Sequence, residues 1–335
     1  MHLTQWIEQA GPAAPWIFTA LFLAGSFLMI WRLEAMAKDG MGGTVLGTLI
    51  MPYCTGMANL IFVFVMGRRG GPSTEVLTNC LVNNVTNLTL LIGLPAALWG
   101  LTVISNPSAK NKREEKPDAS RHADRLSMLL TLLAVLLFTG VAWVLGRQGE
   151  IGFGGGLILT GLFLCWQSYH VIAVLKSNRR QNKTFGTMLP VDLLLLAAGT
   201  YAVYVSTDGL VAWVSNIKTG LVSAKYLGWL SGWMDVLPNG LLAFYYGWRR
   251  KPEVVYTSQV GDGHICIPLC IGIFALYKPI AVPPFFTTGV IILGAATLVH
   301  LLFIGRWGRL PRSVGWLLTA AYGLFLYYGL GGSSR

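Results

Sequence analysis

Apolar runs of about 20 residues, each long enough to cross a hydrocarbon core about 30 Å thick, recur along the whole 335-residue chain. Lipid offers no water to an unpaired N–H or C=O, so only helices and closed barrels can span it. These runs are continuous rather than alternating, which predicts helices and makes strands unexpected. Residues are 54% hydrophobic and only 12% charged, more apolar than a soluble domain of this length needs. Ten span cores are predicted: 13–32, 44–66, 77–104, 126–146, 153–175, 188–206, 219–247, 257–278, 284–304 and 313–331. The first run reaches Arg32 with no small-residue cleavage site and reads as a retained helix rather than a signal peptide.

A net charge of +11 raises the question of nucleic acid. The basic residues instead lie in short loops beside apolar spans, where they set orientation and meet anionic lipid. With ten spans, loops 1–2, 3–4, 5–6, 7–8 and 9–10 share one side and hold 18 of the 25 Lys and Arg residues. The positive-inside rule puts that side in the cytoplasm and both termini outside. A bacterial inner (plasma) membrane is the expected location. Ser105 to Arg125 holds mixed charges and almost no large apolar residue, and reads as a flexible cytoplasmic loop. The five cysteines all fall within predicted spans, where free buried thiols are expected.

The chain also repeats itself. Thr55-Gly56-Met57-Ala58-Asn59-Leu60 has a partner 180 residues on, Asp235-Val236-Leu237-Pro238-Asn239-Gly240. From Asn59 to Pro72, five of 14 positions are identical to their partners: Asn59, Phe64, Gly67, Arg69 and Pro72 match Asn239, Phe244, Gly247, Arg249 and Pro252. Lys176 to Arg180 forms a basic boundary between two five-span units, 1–176 and 177–335. Five is odd, so the second unit enters the membrane from the opposite side. That gives an inverted repeat, a geometry associated with alternating access around a midplane site.

Polar residues inside the spans mark the candidate site. Asn83 and Asn87 are four apart and share a helix face, with Asn84 on the adjoining stripe and Asn79, Thr86 and Thr89 nearby. Amide oxygens at that spacing can replace water around a cation; they can also hydrogen-bond between helices. Asp235 and Asp262 are the acidic residues deepest in the predicted spans, where charge faces a cavity or a partner. Pro238 predicts a break in its helix, with a half-helix end and freed carbonyls. Three roles fit His264: proton carrier, metal ligand or packed polar residue. Asp192 suits a helix N-terminus, and His170 and His300 suit packing or a single hydrogen bond. Phe244 to Trp248 reads as an interfacial aromatic belt. Gly154-Gly155-Gly156 lacks a preceding strand and a following Lys-Ser/Thr, so it is no phosphate loop. Asp262 and His264, two apart on a helix, project to different faces, which argues against an acid–base pair and against an enzyme.

These motifs resemble the two alpha-repeats of the cation/calcium exchanger superfamily, which includes sodium/calcium exchangers. Family members read Gly-Thr-Ser-Leu-Pro-Glu in the second and seventh helices. In the third and eighth they read Gly-Asn-x-x-Gly-Ser-Asn-Ile-x-Asn/Asp. Thr55 to Asn59 and Leu237-Pro238-Asn239 are similar to the first element, Thr78 to Asn87 and Ser258 to Ile267 to the second. The resemblance implies an all-α membrane protein of ten transmembrane helices in two inverted five-helix repeats. It also implies a secondary transporter, a cation antiporter in which the ion is cargo and no resident cofactor is needed.

The departures fall on the site. Asn59 and Asn239 stand where the family has glutamate, Asn83 and Gly263 where it has serine, and Asp235 where it has threonine; Asn87 is kept, and its partner is Ile267. Calcium takes six to eight oxygens, usually with carboxylates among them, so loss of two carboxylates argues against ordinary calcium exchange. The expected site comprises Thr55, Asn59, Asn83, Asn84, Asn87, Asp235, Asn239, Asp262 and His264, with lipid and a small cation or solute as partners. The alternative is a transport-inactive relative serving as a membrane partner or sensor, with 105–125 as its docking surface.

Overall fold

The computed structural model describes residues 2–38, 56–104, 118–181 and 188–331. Its helices follow the apolar runs: α1 (Ala14–Lys38), α2 (Met57–Arg69), α3 (Ser73–Val85), α4 (Ile92–Trp99), α5 (Asp118–Gly146), α6 (Phe153–Gln181), α7 (Leu189–Ser215), α8 (Leu227–Trp248), α9 (Pro252–Ile265), α10 (Ile271–Tyr277), α11 (Phe286–Trp307) and α12 (Arg312–Gly331). Seven stretches among the described residues are long and apolar enough to cross a membrane: Gly11–Met36, Ser73–Trp99, Arg125–Gly146, Leu189–Ser215, Pro252–Tyr277, Phe286–Trp307 and Arg312–Gly331.

Two of these differ from the rest. Ser73–Trp99 and Pro252–Tyr277 are 83% and 76% buried over their most apolar window, against 28–39% for the other five. They form the centre, and the others present large apolar side chains outward, Leu194 and Leu298 among them. Both central spans widen into π-helix midway, at Thr86–Leu91 and Cys266–Cys270. Proline explains each. It carries no N–H and its ring crowds the carbonyl four residues back. Pro95 frees Leu91, the last residue of the first π segment, and Pro268 sits inside the second. A π turn accommodates the misfit without ending the helix.

The outer helices pair around this centre. α1 lies along α7, α5 along α11, α12 against α4, and α6 against α10. Glycine sets the closest approaches: a Cβ on Gly315 would lie 2.3 Å from the Ala97 nitrogen, and one on Gly156 would lie 2.9 Å from the Gly272 oxygen. Small residues at helix crossings are the usual packing device where lipid supplies no hydrophobic drive. Two antiparallel ladders staple the ends. β1 (Leu101–Thr102) pairs with β4 (Arg309–Leu310), and β2 (Glu150–Ile151) pairs with β3 (Ile280–Ala281).

Several expectations need correction. Strands were not anticipated, because a two-residue ladder leaves no alternating pattern to read. The loop expected at 105–125 is shorter at its far end, since α5 starts at Asp118; residues 105–117 lie outside the described residues. An acid at the helix start suits the macrodipole, and the apolar run propagates the helix outward. The break expected at Pro238 is absent: α8 runs unbroken from Leu227 to Trp248 with Pro238 inside it. One proline removes a single backbone bond, at the Met234 carbonyl, which neighbouring groups can re-satisfy. No half-helix end is therefore available there.

Candidate cation site between the central helices

The site grows from the way α8 meets α3. Gly228, Ser231, Gly232 and Asp235 are spaced three or four apart, so they form one stripe of α8. A Cβ on Gly228 would sit 2.5 Å from the Glu75 carbonyl oxygen, and one on Gly232 would sit 2.9 Å from Val82 and 3.0 Å from the Asn79 carbonyl. The glycines bring the backbones close enough for polar side chains to meet. Asn79 Nδ2 donates to Asp235 Oδ2 at 2.8 Å and to Ser231 Oγ at 3.0 Å. Asn79 and Asp235 are 0% and 3% exposed. At the head of α8 the Gly228 N–H donates to the Glu75 carboxylate at 2.6 Å. Glu75 lines an adjoining cavity of about 310 Å³ with Thr74, Thr78, Lys225 and Tyr328.

One turn further along α3, Asn87 Nδ2 donates to Asn83 Oδ1 at 3.0 Å, so these amides share a face as their spacing predicts. Cys266 Sγ, in the second π segment, donates to the same oxygen at 3.4 Å. Asn84 is buried, and among the described residues neither atom of its amide has a hydrogen-bond partner. A Cβ on Gly263 of α9 would lie 3.8 Å from its Oδ1. Asn59, in the first turn of α2, is likewise fully buried, with both amide atoms lacking a partner among the described residues. An unsatisfied buried amide costs about 1–3 kcal/mol. Asn239 is buried on α8, and its carbonyl accepts from Gln259 Nε2 at 3.3 Å.

His264 lies among aromatic rings. It stacks on Trp166 of α6 at 5.3 Å between centroids and 14° between planes, with Phe138 of α5 edge-on at 6.3 Å. Its Nδ1 lies 3.1 Å from the Gly261 carbonyl. Thr55 lies outside the described residues, as does the side chain of Asp262, whose backbone belongs to α9.

The other buried aspartates are held by arginine. Arg32 pairs with Asp192, in the first turn of α7. Arg68 Nη2 and Arg69 Nε each donate to Asp208 Oδ1 at 2.7 Å. Asp208 is only 8% exposed inside the span Leu189–Ser215. It therefore joins the deep acids, of which the sequence predicted only Asp235 and Asp262; the predicted core stopped at 206. His300 Nε2 donates to the Leu88 carbonyl at 2.8 Å, the single bond expected of it.

Sequence reasoning named Asn79 as polar but did not place it in the site, and passed over Ser231 and Glu75. One signal was available: Gly228-x-x-Ser231-Gly232-x-x-Asp235 is a small-residue stripe ending in an acid. Replacing Asn79 with Leu should destabilise the protein by about 1–3 kcal/mol by stripping Asp235 and Ser231 of a donor. Ser231→Ala should do less. Thermal or chemical unfolding in detergent measures both, and equal small losses would count against an Asn79-centred arrangement.

The sodium/calcium exchanger protein family matches residues 14–170 and 191–331. Among solved structures, the sodium-calcium exchanger NCX_Mj soaked with 2.5 mM Na+ and 10 mM Sr2+ is similar, with a TM-score of 0.63 at 18% identity over 92% of this chain and 94% of that one. The same exchanger soaked with zero Na+ and Ca2+ gives 0.63 at 18%, over 93% and 96%. With 10 mM Na+ and 10 mM Sr2+ it gives 0.63 at 17%, also over 93% and 96%. At such identities the likeness bears on the fold alone. No curated protein matches the chain. The family match covers most of the sequence and falls on the spans that build the central site, so the chain belongs to the sodium/calcium exchanger protein family and is an integral membrane protein of the cation-transporter class.

Proposed function

We propose that the chain is a secondary cation antiporter working by alternating access, with an amide-rich site unsuited to ordinary calcium exchange. The site comprises Asn59, Asn83, Asn84, Asn87, Asp235 and Asn239, with Thr55, Asp262 and His264 as further members. Asn79 orients the Asp235 carboxylate, and the ion is cargo rather than a resident cofactor. The observation that carries this reading is the buried amide group: Asn59 and Asn84 are enclosed with no described partner, close to helices that also bury an aspartate. Amide oxygens with one carboxylate compensate a monovalent charge better than a divalent one.

The units proposed are residues 1–176 and 177–335, two inverted sets of five helices. Three pairings support this. The π segments start at Thr86 and Cys266, 180 residues apart. The ladder after each central span pairs with the opposite unit, β1 with β4 and β3 with β2. The α4–α12 and α6–α10 crossings mirror each other. The basic loops argue for both termini outside a bacterial inner membrane.

A panel of Na⁺, K⁺, Ca²⁺, Mn²⁺ and H⁺ tests the reading on purified protein. A ligand that binds the folded state raises the melting temperature, by about 2.7 kcal/mol of stability at one hundred times its dissociation constant. A monovalent ion should stabilise more than Ca²⁺. No shift from any ion would favour a transport-inactive partner or sensor.

A further inference from the structure

At one end of the bundle, a cavity of about 310 Å³ opens where the starts of α3, α8 and α11 meet the end of α12. Its volume falls in the range of small-molecule sites, about 300–1,000 Å³. One acid and four aromatic side chains are in its lining: Glu75, Tyr226, Trp229, Phe285 and Tyr328. The ion site leaves this cavity unused, although Glu75 lies one helical turn before Asn79 on α3.

Packing fixes the walls. Trp229 is 3% exposed, and its ring centroid lies 5.2 Å from that of Phe285. Gly329 of α12 makes room for the indole: a Cβ there would lie 2.2 Å from Trp229 Cζ2. The Glu75 carboxylate accepts the Gly228 N–H at 2.6 Å, and among the described residues no lysine or arginine pairs with it. That bond at the start of α8 holds the acid in place and leaves its charge unpaired by a cation. A carboxylate and the negative faces of aromatic rings both attract positive charge. A strongly hydrated metal ion gains little from the rings, whereas an organic ammonium offers them alkyl surface and offers the acid its charge. One ammonium already uses a wall: Lys225 also lines the cavity, and its Nζ sits 5.2 Å over the Tyr226 ring.

We propose that this cavity binds a small organic ammonium ion. Glu75 is the counter-ion, the aromatic rings are the walls, and Lys225 is a tethered competitor for the Tyr226 face. The site is separate from the cluster of amides around Asp235, and it stands whether or not the chain moves cations.

Tetramethylammonium is the probe, on the full-length protein in detergent, with K⁺ at matched ionic strength as the reference. Saturation transfer to its methyl protons reads binding, and the melting temperature reads stabilisation. The probe should bind and raise the melting temperature above the K⁺ reference. Glu75→Gln keeps an acceptor for the Gly228 N–H, so it should melt near wild type without the probe and bind about tenfold more weakly or worse. Tyr328→Leu, at a side chain 53% exposed, should weaken binding about threefold. Lys225→Ala should bind more tightly, because the competing ammonium is gone. If Glu75→Gln does not fold, Tyr328→Leu and Lys225→Ala carry the test with opposite expected signs. Undiminished binding in Glu75→Gln, equal stabilisation by K⁺, or no binding to wild type would overturn the proposal. Loss of binding in Lys225→Ala would do the same, since the cavity would then favour an anion. Asp235→Asn should bind the probe as wild type does; a loss there would put the probe in the ion site and overturn the assignment to Glu75.

Discussion

Replacing Asp235 with Asn should abolish coupled cation flux in reconstituted vesicles while leaving the protein folded. The substitution keeps the shape and an acceptor for Asn79, so unfolding should move by no more than about 1 kcal/mol, the scale of one hydrogen bond. What disappears is a compensating charge in a buried setting. Losing one member of a buried, hydrogen-bonded charge pair costs about 2–5 kcal/mol, equivalent to about 30-fold to several thousandfold in ion affinity. Flux should fall accordingly. The measurement is cation uptake driven by an opposing gradient, with wild-type and variant vesicles matched for protein content. Undiminished flux in the variant would take Asp235 out of the mechanism.

The double variant Asn59→Glu/Asn239→Glu should do the opposite to ion preference. Both positions are enclosed, at 0% and 2% exposed. Two added carboxylates with no ion present leave buried charge uncompensated, and stability in ion-free buffer should drop by about 3–5 kcal/mol. Ca²⁺ should restore much of that loss, because two carboxylates join an oxygen-rich site that otherwise holds only that of Asp235. The check is a melting series against Ca²⁺ for wild type and double variant side by side. A calcium response confined to the double variant is expected. A variant destabilised but deaf to Ca²⁺ would mean that the two positions do not face a common ion.

Much of the fold was legible because lipid leaves the backbone so few options. Each predicted core overlaps a helix among the described residues, although the ends differ by up to nine residues, as for 188–206 against Leu189–Ser215, and α2 is described only from Met57 onward. The repeat in the sequence returns as two π segments and two ladders in matching places. The pairing of specific side chains was not legible. Asn79 and Asp235 are 156 residues apart, and only the crossing of α3 and α8, set by Gly228 and Gly232, brings them together. Pro238 misled because a proline signals a lost hydrogen bond, not where the helix ends; α8 absorbs the loss and continues. Asp208 was missed for a related reason. An acid near the end of an apolar run reads as outside it, yet Arg68 and Arg69 make its burial tolerable. Tyr322, which lies in no sequence motif, accepts from Trp233 Nε1 at 2.8 Å and from Thr86 Oγ1 at 3.4 Å, contacts only packing could reveal.

The central claim is that the enclosed amides face a water-filled path rather than packed hydrocarbon. Cysteine accessibility at Asn84 tests it most directly. With the native thiols replaced, Asn84→Cys should react with a small hydrophilic thiol reagent, and the transported cation should slow that reaction. Leu137→Cys, on the outward face of α5 and 54% exposed to the lipid side, should not respond to the cation. An Asn84→Cys thiol that stays inert under every ionic condition would contradict the account.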